Sequence, residues 1–290
     1  MTEVKVIKVE VRPVDLDITL HPSFMLSLLY PIGRVYLKVT GRRKGCLMRV
    51  EGSYLITDCG KEALYWSGAW FMEILESEEP RSLAWLLDAL KEHYPKLGLA
   101  VDPHDPLHIL IPIFLSQSTD YHVNVIKWAR ELWRLTDDPF EAVKIAPKLS
   151  GSYQLKRLFE SFSCLSSALN GDFWEVRKKL MNCKYCGPKV ADAFLLFCMG
   201  DTASTPVDRH FASMAKKLGL WENLRLPNKR TCLKYNCSDC PVRCVRWLAS
   251  ESFSKLAGWV QTALYLHEKL YCSAKRCDKC LLKSHCSAYR

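Results

Sequence analysis

Up to about residue 60 the chain alternates. VKVIKVEV from Val4, LDITL from Leu16, RVYLKVT from Arg34 and GCLMRVEGSYLIT from Gly45 alternate apolar with polar positions, and Pro, Gly and charged clusters separate them. A period of two marks half-buried strands, so this part predicts a small antiparallel sheet serving as a structural platform. From Glu62 the spacing changes to three and four. It predicts helices near 62–78, 81–93, 106–134 (broken at Pro112), 139–147, 153–169, 172–181, 188–199, 209–218, 242–250 and 254–271, with the loop PKLGLAVDPHDP before the third. No internal repeat or low-complexity linker interrupts the pattern. The fold class expected is α+β: an N-terminal β domain over 1–61, a mostly α-helical body over 62–271 and a cysteine loop over 272–290.

With 290 residues, 49% of them hydrophobic and 25% charged, the chain has the balance of a globular protein with a sizeable core. No apolar run is long enough for a membrane span, and the N-terminus MTEVKVIKVEV is not a signal peptide. The expectation is an intracellular protein, cytoplasmic and nucleoid-associated if prokaryotic, with no membrane partner. The net charge of +10 is unevenly placed: residues 1–208 hold 25 Lys and Arg against 26 Asp and Glu, and residues 209–290 hold 16 against 5. A basic C-terminal part suits a polyanion such as DNA, and equally a merely soluble basic face.

The stretch Asn182–His210, NCKYCGPKVADAFLLFCMGDTASTPVDRH, carries the chemistry. Val190, Ala191, Ala193, Phe194, Leu195, Phe197 and Cys198 make its helix apolar on most faces, so it should be buried. Gly187 and Pro188 suit a tight turn and a first helical turn, whose free N–H groups can hold a phosphate. Lys189 stands there with an apolar helix behind it, a setting that lowers a lysine pKa and yields a nucleophilic amine. Farther on, Gln261 and Tyr265 are four apart and share one helix face. An amide can read a base edge, and an aromatic ring can cover its flat face.

Eight of the 14 cysteines fall in two tight groups: Cys232, Cys237, Cys240 and Cys244, then Cys272, Cys277, Cys280 and Cys286. In a reducing compartment such spacing favours metal over disulfides, although disulfides fit a hyperthermophilic source. Four clustered thiolates suit a cubane or a structural zinc.

GPKVAD followed by PVDRH resembles the helix-hairpin-helix and Gly/Pro-Asp signature of DNA glycosylases, and within them the lysine-bearing 8-oxoguanine DNA glycosylases with lyase activity. The resemblance implies that Lys189 attacks the sugar and Asp208 supports it. Tyr185 stands where the family hairpin has its first glycine. AGWVQTALY from Ala257 is similar to the family helix in which a Gln reads the Watson–Crick edge and an aromatic stacks on the base, roles that fall on Gln261 and Tyr265. Ala193 replaces the family cysteine on the other side of the base, and the stretch from Leu20 to Phe24 lacks the family's lesion-sensing glycine. FLSQSTD from Phe114 resembles the endonuclease III segment whose Gln wedges into the gap left by a flipped base, here Gln117. Gly187 and His210 likewise fall on DNA-binding positions. Leu266-His267 and the last four cysteines resemble the [4Fe-4S] loop of endonuclease III. The upstream group matches nothing in these families, and zinc, a second iron–sulfur cluster or partial use of the thiols stay open there. The reading implied is a monomeric enzyme that binds double-stranded DNA containing a damaged base, excises 8-oxoguanine and cleaves the strand. An endonuclease III-like enzyme for oxidised pyrimidines and a non-catalytic DNA-binding iron–sulfur protein are the alternatives.

Overall fold

The computed structural model describes residues 6–289, so the expected start of the first strand at residues 4 and 5 lies outside the described residues. Strands β1 (Ile7–Glu10), β2 (Leu29–Ile32), β3 (Val35–Lys38), β4 (Leu47–Glu51) and β5 (Tyr54–Thr57) form one antiparallel sheet in the order β1-β5-β4-β3-β2. β4 and β5 make the hairpin expected from GCLMRVEGSYLIT, with Val50 opposite Leu55. LDITL is not a strand. It forms a short helix, α1 (Leu16–Leu20), because the Asp15 carboxylate caps it, accepting from the N–H groups of Asp17 at 2.9 Å and Ile18 at 3.1 Å. β2, which the alternation missed, contains Pro31 and lies at the sheet edge, where a missing N–H is tolerated.

The helical body follows as α2 (Ala63–Trp66), α3 (Met72–Ser77), α4 (Ala84–His93), α5 (Pro106–Leu115), α6 (Ile126–Leu135), α7 (Pro139–Leu149), α8 (Tyr153–Ser167), α9 (Phe173–Asn182), α10 (Pro188–Phe197), α11 (Arg209–Lys217), α12 (Lys229–Lys234), α13 (Val245–Phe253) and α14 (Ala257–His267). The helix expected over 62–78 is divided at Gly68, whose φ is +76°. A Cβ there would lie 2.7 Å from the Leu99 nitrogen, so the two chain segments meet backbone to backbone. The expected break at Pro112 does not occur. α5 runs through that proline inside the core, and the interruption falls at residues 116–120, where Asp120 caps the next turn through the Val123 N–H. α12 is too short for its periodicity to show in the sequence; the Asn228 side chain caps it.

One contiguous apolar core runs from Leu16 to Leu282. The sheet is fastened to it through a buried cation. Lys38 of β3 lies 3.2 Å from Asp102 and 2.7 Å from Asp105, with its ammonium 4.6 Å from the Trp66 ring centre. Disulfides join Cys46 to Cys59 and Cys164 to Cys183; neither pairing is legible in the spacing. Among the described residues no helix is long and apolar enough to cross a membrane.

Where the chain after α1 meets the turn before α6, the rings of His21 and His122 lie 4.0 Å apart. His21 Nδ1 and His122 Nε2 are buried without a hydrogen-bond partner. Burial, then the neighbouring His21 and Lys269, depress the His122 pKa to about 4. The unfolded chain therefore binds a proton, below pH 6.5, that the folded chain refuses until about pH 4. Stability present above pH 6.5 should be lost as pH falls through this window, by at most about 1.4 kcal/mol per pH unit from this ring, less what solvent screening removes. Denaturant midpoints between pH 7 and 4 measure this. The His122→Phe chain should show a flatter dependence, and an identical slope would refute it.

Candidate active site

α10 begins as its sequence suggests. Gly187 is the N-cap, Pro188 occupies the first turn, and every residue from Val190 to Phe197 is buried. Lys189 is the exception at its start. Its Nζ donates to Ser116 Oγ at 2.6 Å and lies 5.9 Å from the centre of the Phe24 ring. Burial lowers the Lys189 pKa below the usual lysine value, and the Asp208 charge opposes that shift. Asp208 is held in place as the N-cap of α11, accepting from the Phe211 N–H at 2.7 Å.

Both residues line a cavity of about 380 Å³, together with Gln117, His210, Gln261, Tyr265, Ser116, Arg209 and Lys269. Gln261 is 5% exposed and lines the cavity. It is available to a guest in the cavity. Tyr265 stands one turn beyond, and burial raises its phenol pKa. α14 reaches this position because Gly258 lacks a side chain. A Cβ there would collide with Leu196 of α10 and come 3.0 Å from the Thr202 carbonyl oxygen, which instead accepts from the Gly258 N–H at 2.8 Å. His210 is turned toward Glu268, with Nδ1 2.7 Å from its carboxylate, and lies edge-on to Tyr265. Gln117 folds back locally, donating to the Phe114 carbonyl oxygen at 2.9 Å. Ser118 beside it has a φ of +52°, unusual for a residue with a side chain. Gly187 lies on the hairpin that precedes the cavity. Its Cβ position faces open space, so backbone there is open to a ligand.

The hairpin keeps its turn despite Tyr185. That residue has a φ of +56°, the conformation for which glycine is the usual choice. Its hydroxyl donates to Glu160 at 2.9 Å and its ring lies 4.7 Å from the Arg157 guanidinium. Lys229 donates to the Cys183 carbonyl oxygen at 3.1 Å, so the hairpin rim is basic.

No family model matches the chain, and no curated protein sequence matches it. Solved structures do. The Clostridium acetobutylicum 8-oxoguanine glycosylase/lyase, in complex with double-stranded DNA containing cytosine opposite 8-oxoguanine, superposes with a TM-score of 0.67 at 14% identity, over 92% of this chain and 98% of that one. MBOgg1, in complex with a low-affinity DNA ligand, gives 0.64 at 18% identity over 91% and 96% of the two chains. The 3-methyladenine DNA glycosylase from Archaeoglobus fulgidus gives 0.64 at 12% identity over 91% and 99%. The chain has the helix-hairpin-helix DNA glycosylase fold. At these identities the likeness concerns architecture, and the roles of the glycosylase-fold cavity have to be argued from its own residues.

Several wall residues of that cavity lay outside the sequence-based assignments. Pro22 and Phe24 come from the part read as a platform, and Phe24 packs edge-on to Phe197 of α10 with ring centres 5.2 Å apart. Ser116 precedes the capping run that drew attention to Gln117, and only the fold shows that it meets Lys189.

The eight clustered cysteines are all free thiols. Cys280 is buried beside His267, whose Nδ1 lies 3.0 Å from the Tyr94 hydroxyl oxygen and whose Nε2 lies 3.1 Å from the Cys280 sulfur. Tetrahedral zinc would bring four sulfurs to about 3.8 Å from one another. Among the described residues no three sulfurs of either group lie within 4.8 Å of one another. Four free thiols in one loop, Cys272, Cys277, Cys280 and Cys286, are the kind of donor set that an iron–sulfur cluster takes.

Asp208→Asn separates the two influences on Lys189. Asparagine retains the cap but removes the charge that favours the ammonium, so the Lys189 pKa should fall further. The pH dependence of Lys189 acylation, followed by mass spectrometry, should shift to lower pH in the variant. No shift, or a shift to higher pH, would show that the Asp208 charge does not favour the Lys189 ammonium.

Proposed function

We propose that this chain is a DNA glycosylase with strand-cleaving lyase activity, acting on oxidised guanine in double-stranded DNA as a monomer. The observation that carries the proposal is the placement of a half-buried, pKa-lowered lysine amine, a fixed carboxylate and a buried glutamine side chain in one cavity. The cavity is walled in part by aromatic rings, and backbone N–H groups of a helix start lie beside it. A damaged nucleotide flipped out of the duplex, at roughly a few kcal/mol, fits such a site. The hairpin N–H groups near Gly187 and the basic residues around it grip phosphate. The neutral Lys189 amine gives its lone pair to the sugar C1′ as the glycosidic bond breaks, and the base leaves with the electron pair of the broken bond and takes up a proton. Asp208 faces the positive charge that develops on the sugar. Loss of the amine proton with opening of the sugar ring gives a Schiff base. Removal of a C2′ proton then expels the 3′ phosphate by β-elimination. Gln261 reads the base edge, Tyr265 covers the base, Gln117 enters the space it vacates and His210 stands by the backbone. Cys272, Cys277, Cys280 and Cys286 hold a [4Fe-4S] cluster of structural role, which pins the exposed Lys275, Arg276, Lys279 and Lys283 where they can meet phosphate. The 8-oxoguanine glycosylase/lyase and 3-methyladenine DNA glycosylase neighbours named above support DNA-base excision in general, and the Gln261 amide supports the guanine lesion.

The test is borohydride trapping on duplexes that each carry one lesion. The 8-oxoguanine duplex should be trapped and cleaved, and the Lys189→Gln chain should bind it without releasing base or forming a cross-link. Trapping at the native yield in that variant would mean that another residue is the nucleophile. Trapping confined to oxidised-pyrimidine duplexes would replace the substrate. Gln261→Ala should reduce selectivity for 8-oxoguanine over guanine by about 1–3 kcal/mol in kcat/KM while general DNA affinity changes little; equal losses on damaged and undamaged DNA would contradict the assignment.

A further inference from the structure

The buried charges behind α10 do not balance as ion pairs alone. Asp192, three residues after Lys189, accepts from Arg177 Nε at 2.6 Å and Nη2 at 3.1 Å, and from Arg246 Nε at 2.7 Å. All three side chains are buried. Two guanidinium groups, which stay charged in proteins, face one carboxylate. The next carboxylate, Asp201, is reached only through Ser204 Oγ, which accepts from Arg246 Nη2 at 3.2 Å and donates to Asp201 at 2.7 Å. The remaining Arg246 donor, Nη1, points at a sulfur, 2.8 Å from Cys237 Sγ. One guanidinium therefore ties the Cys237 sulfur to the Asp192 carboxylate of α10.

Cys237 belongs to the upstream group. Cys232 lies in α12, Cys244 is the N-cap of α13, and both are buried. Cys237 and Cys240 bracket one tight turn, in which the Cys240 N–H meets the Cys237 carbonyl oxygen at 3.5 Å. The C-terminal pair Cys277 and Cys280 makes the same turn at 3.2 Å. The chain forms disulfides at Cys46–Cys59 and Cys164–Cys183, yet these four thiols stay unpaired.

We propose that Cys232, Cys237, Cys240 and Cys244 hold a second [4Fe-4S] cluster, whose Cys237 ligand, through Arg246 and Asp192, fixes the helix that carries Lys189. Arg246 is a positioning residue: it joins cluster to helix and touches no reacting group.

Iron and acid-labile sulfide are measured on the full chain, purified without oxygen and reconstituted with iron and sulfide. About eight of each per chain are expected, falling to about four in the Cys272→Ser/Cys286→Ser double variant and to about four in Cys240→Ser. Four irons with one zinc would overturn the cluster assignment, and so would four titratable thiols in the upstream group after reconstitution. The coupling is read by hydrogen exchange. Amides of α10 in Cys240→Ser should exchange about tenfold faster or more, while those of α7 and α8 keep their rates. If that variant does not fold, Arg246→Lys keeps every thiol but loses the planar fork. It should retain eight irons and show the same rise in α10. Unchanged α10 exchange in the variant that folds would overturn the coupling. None of these readouts uses DNA, so they are decided separately from the glycosylase reading.

Discussion

A carboxylate with no solvent exposure, Asp192, settles where α10 can be. That helix carries two charges, three residues apart, and is otherwise apolar. Asp192 points back into the protein and takes three N–H bonds from Arg177 of α9 and Arg246 of α13. Those bonds, with the two positive charges, keep its carboxyl below the usual pKa despite the burial that works against it. Removing one partner from such a set leaves an uncompensated charge and costs about 3–5 kcal/mol. Helices α9, α10 and α13 are therefore locked in rotation and depth, not merely packed. Lys189 begins the same helix on the cavity side, so its position follows from a charge network that never touches the cavity.

The other walls reach the cavity through equally specific constraints. Gly258 lets α14 lie against Leu196 and the Thr202 carbonyl, and one turn later the helix delivers Gln261. Lys38 holds the sheet to Asp102 and Asp105. Ser23, beside Phe24, donates to the Ala100 carbonyl oxygen at 2.8 Å, which joins the loop before the sheet to the same segment of chain. Phe24 is thereby placed beside Lys189, and the platform becomes part of the site. The hairpin shows the reverse case, a strained residue held by its surroundings. A left-handed tyrosine costs roughly 1–2 kcal/mol, and the Tyr185 contacts to Glu160 and Arg157 offset it.

Much of this was legible in the sequence where one signal dominated. α10 is written in an unbroken apolar run after Gly-Pro, and Asp208 in an Asp that precedes a helical pattern. The cavity gathers Lys189, Asp208, Gln261, Tyr265, Gln117 and His210, six residues from four separate stretches of chain. Readings failed where two signals competed. LDITL alternates like a strand, but Asp15 caps it as a helix. Pro112 reads as a breaker, but six buried apolar neighbours hold α5 together around it. Ser116, Phe24 and the Arg246–Cys237 contact depend on residues between 9 and 165 positions apart in the chain, and no local pattern encodes them. The disulfides belong to the same class, since four of 14 cysteines can pair in many ways and only the fold chooses.

What distinguishes the cavity is that its lysine is not paired. Its amine meets the hydroxyl and carbonyl oxygens of Ser116 and one aromatic ring, while the charge that favours the ammonium, Asp208, is committed to capping α11. A closer ion pair would restore the usual lysine pKa and hold the amine as a cation. A fully apolar pocket would leave no carboxylate to face a positive sugar. The separation between a cap and a helix start keeps both properties, and it is preserved only while α10 and α11 are rigid with respect to each other. That rigidity comes from Asp192 behind one helix and from the Gly258 contact beside it, which is why the chemistry of the cavity depends on residues that lie outside it.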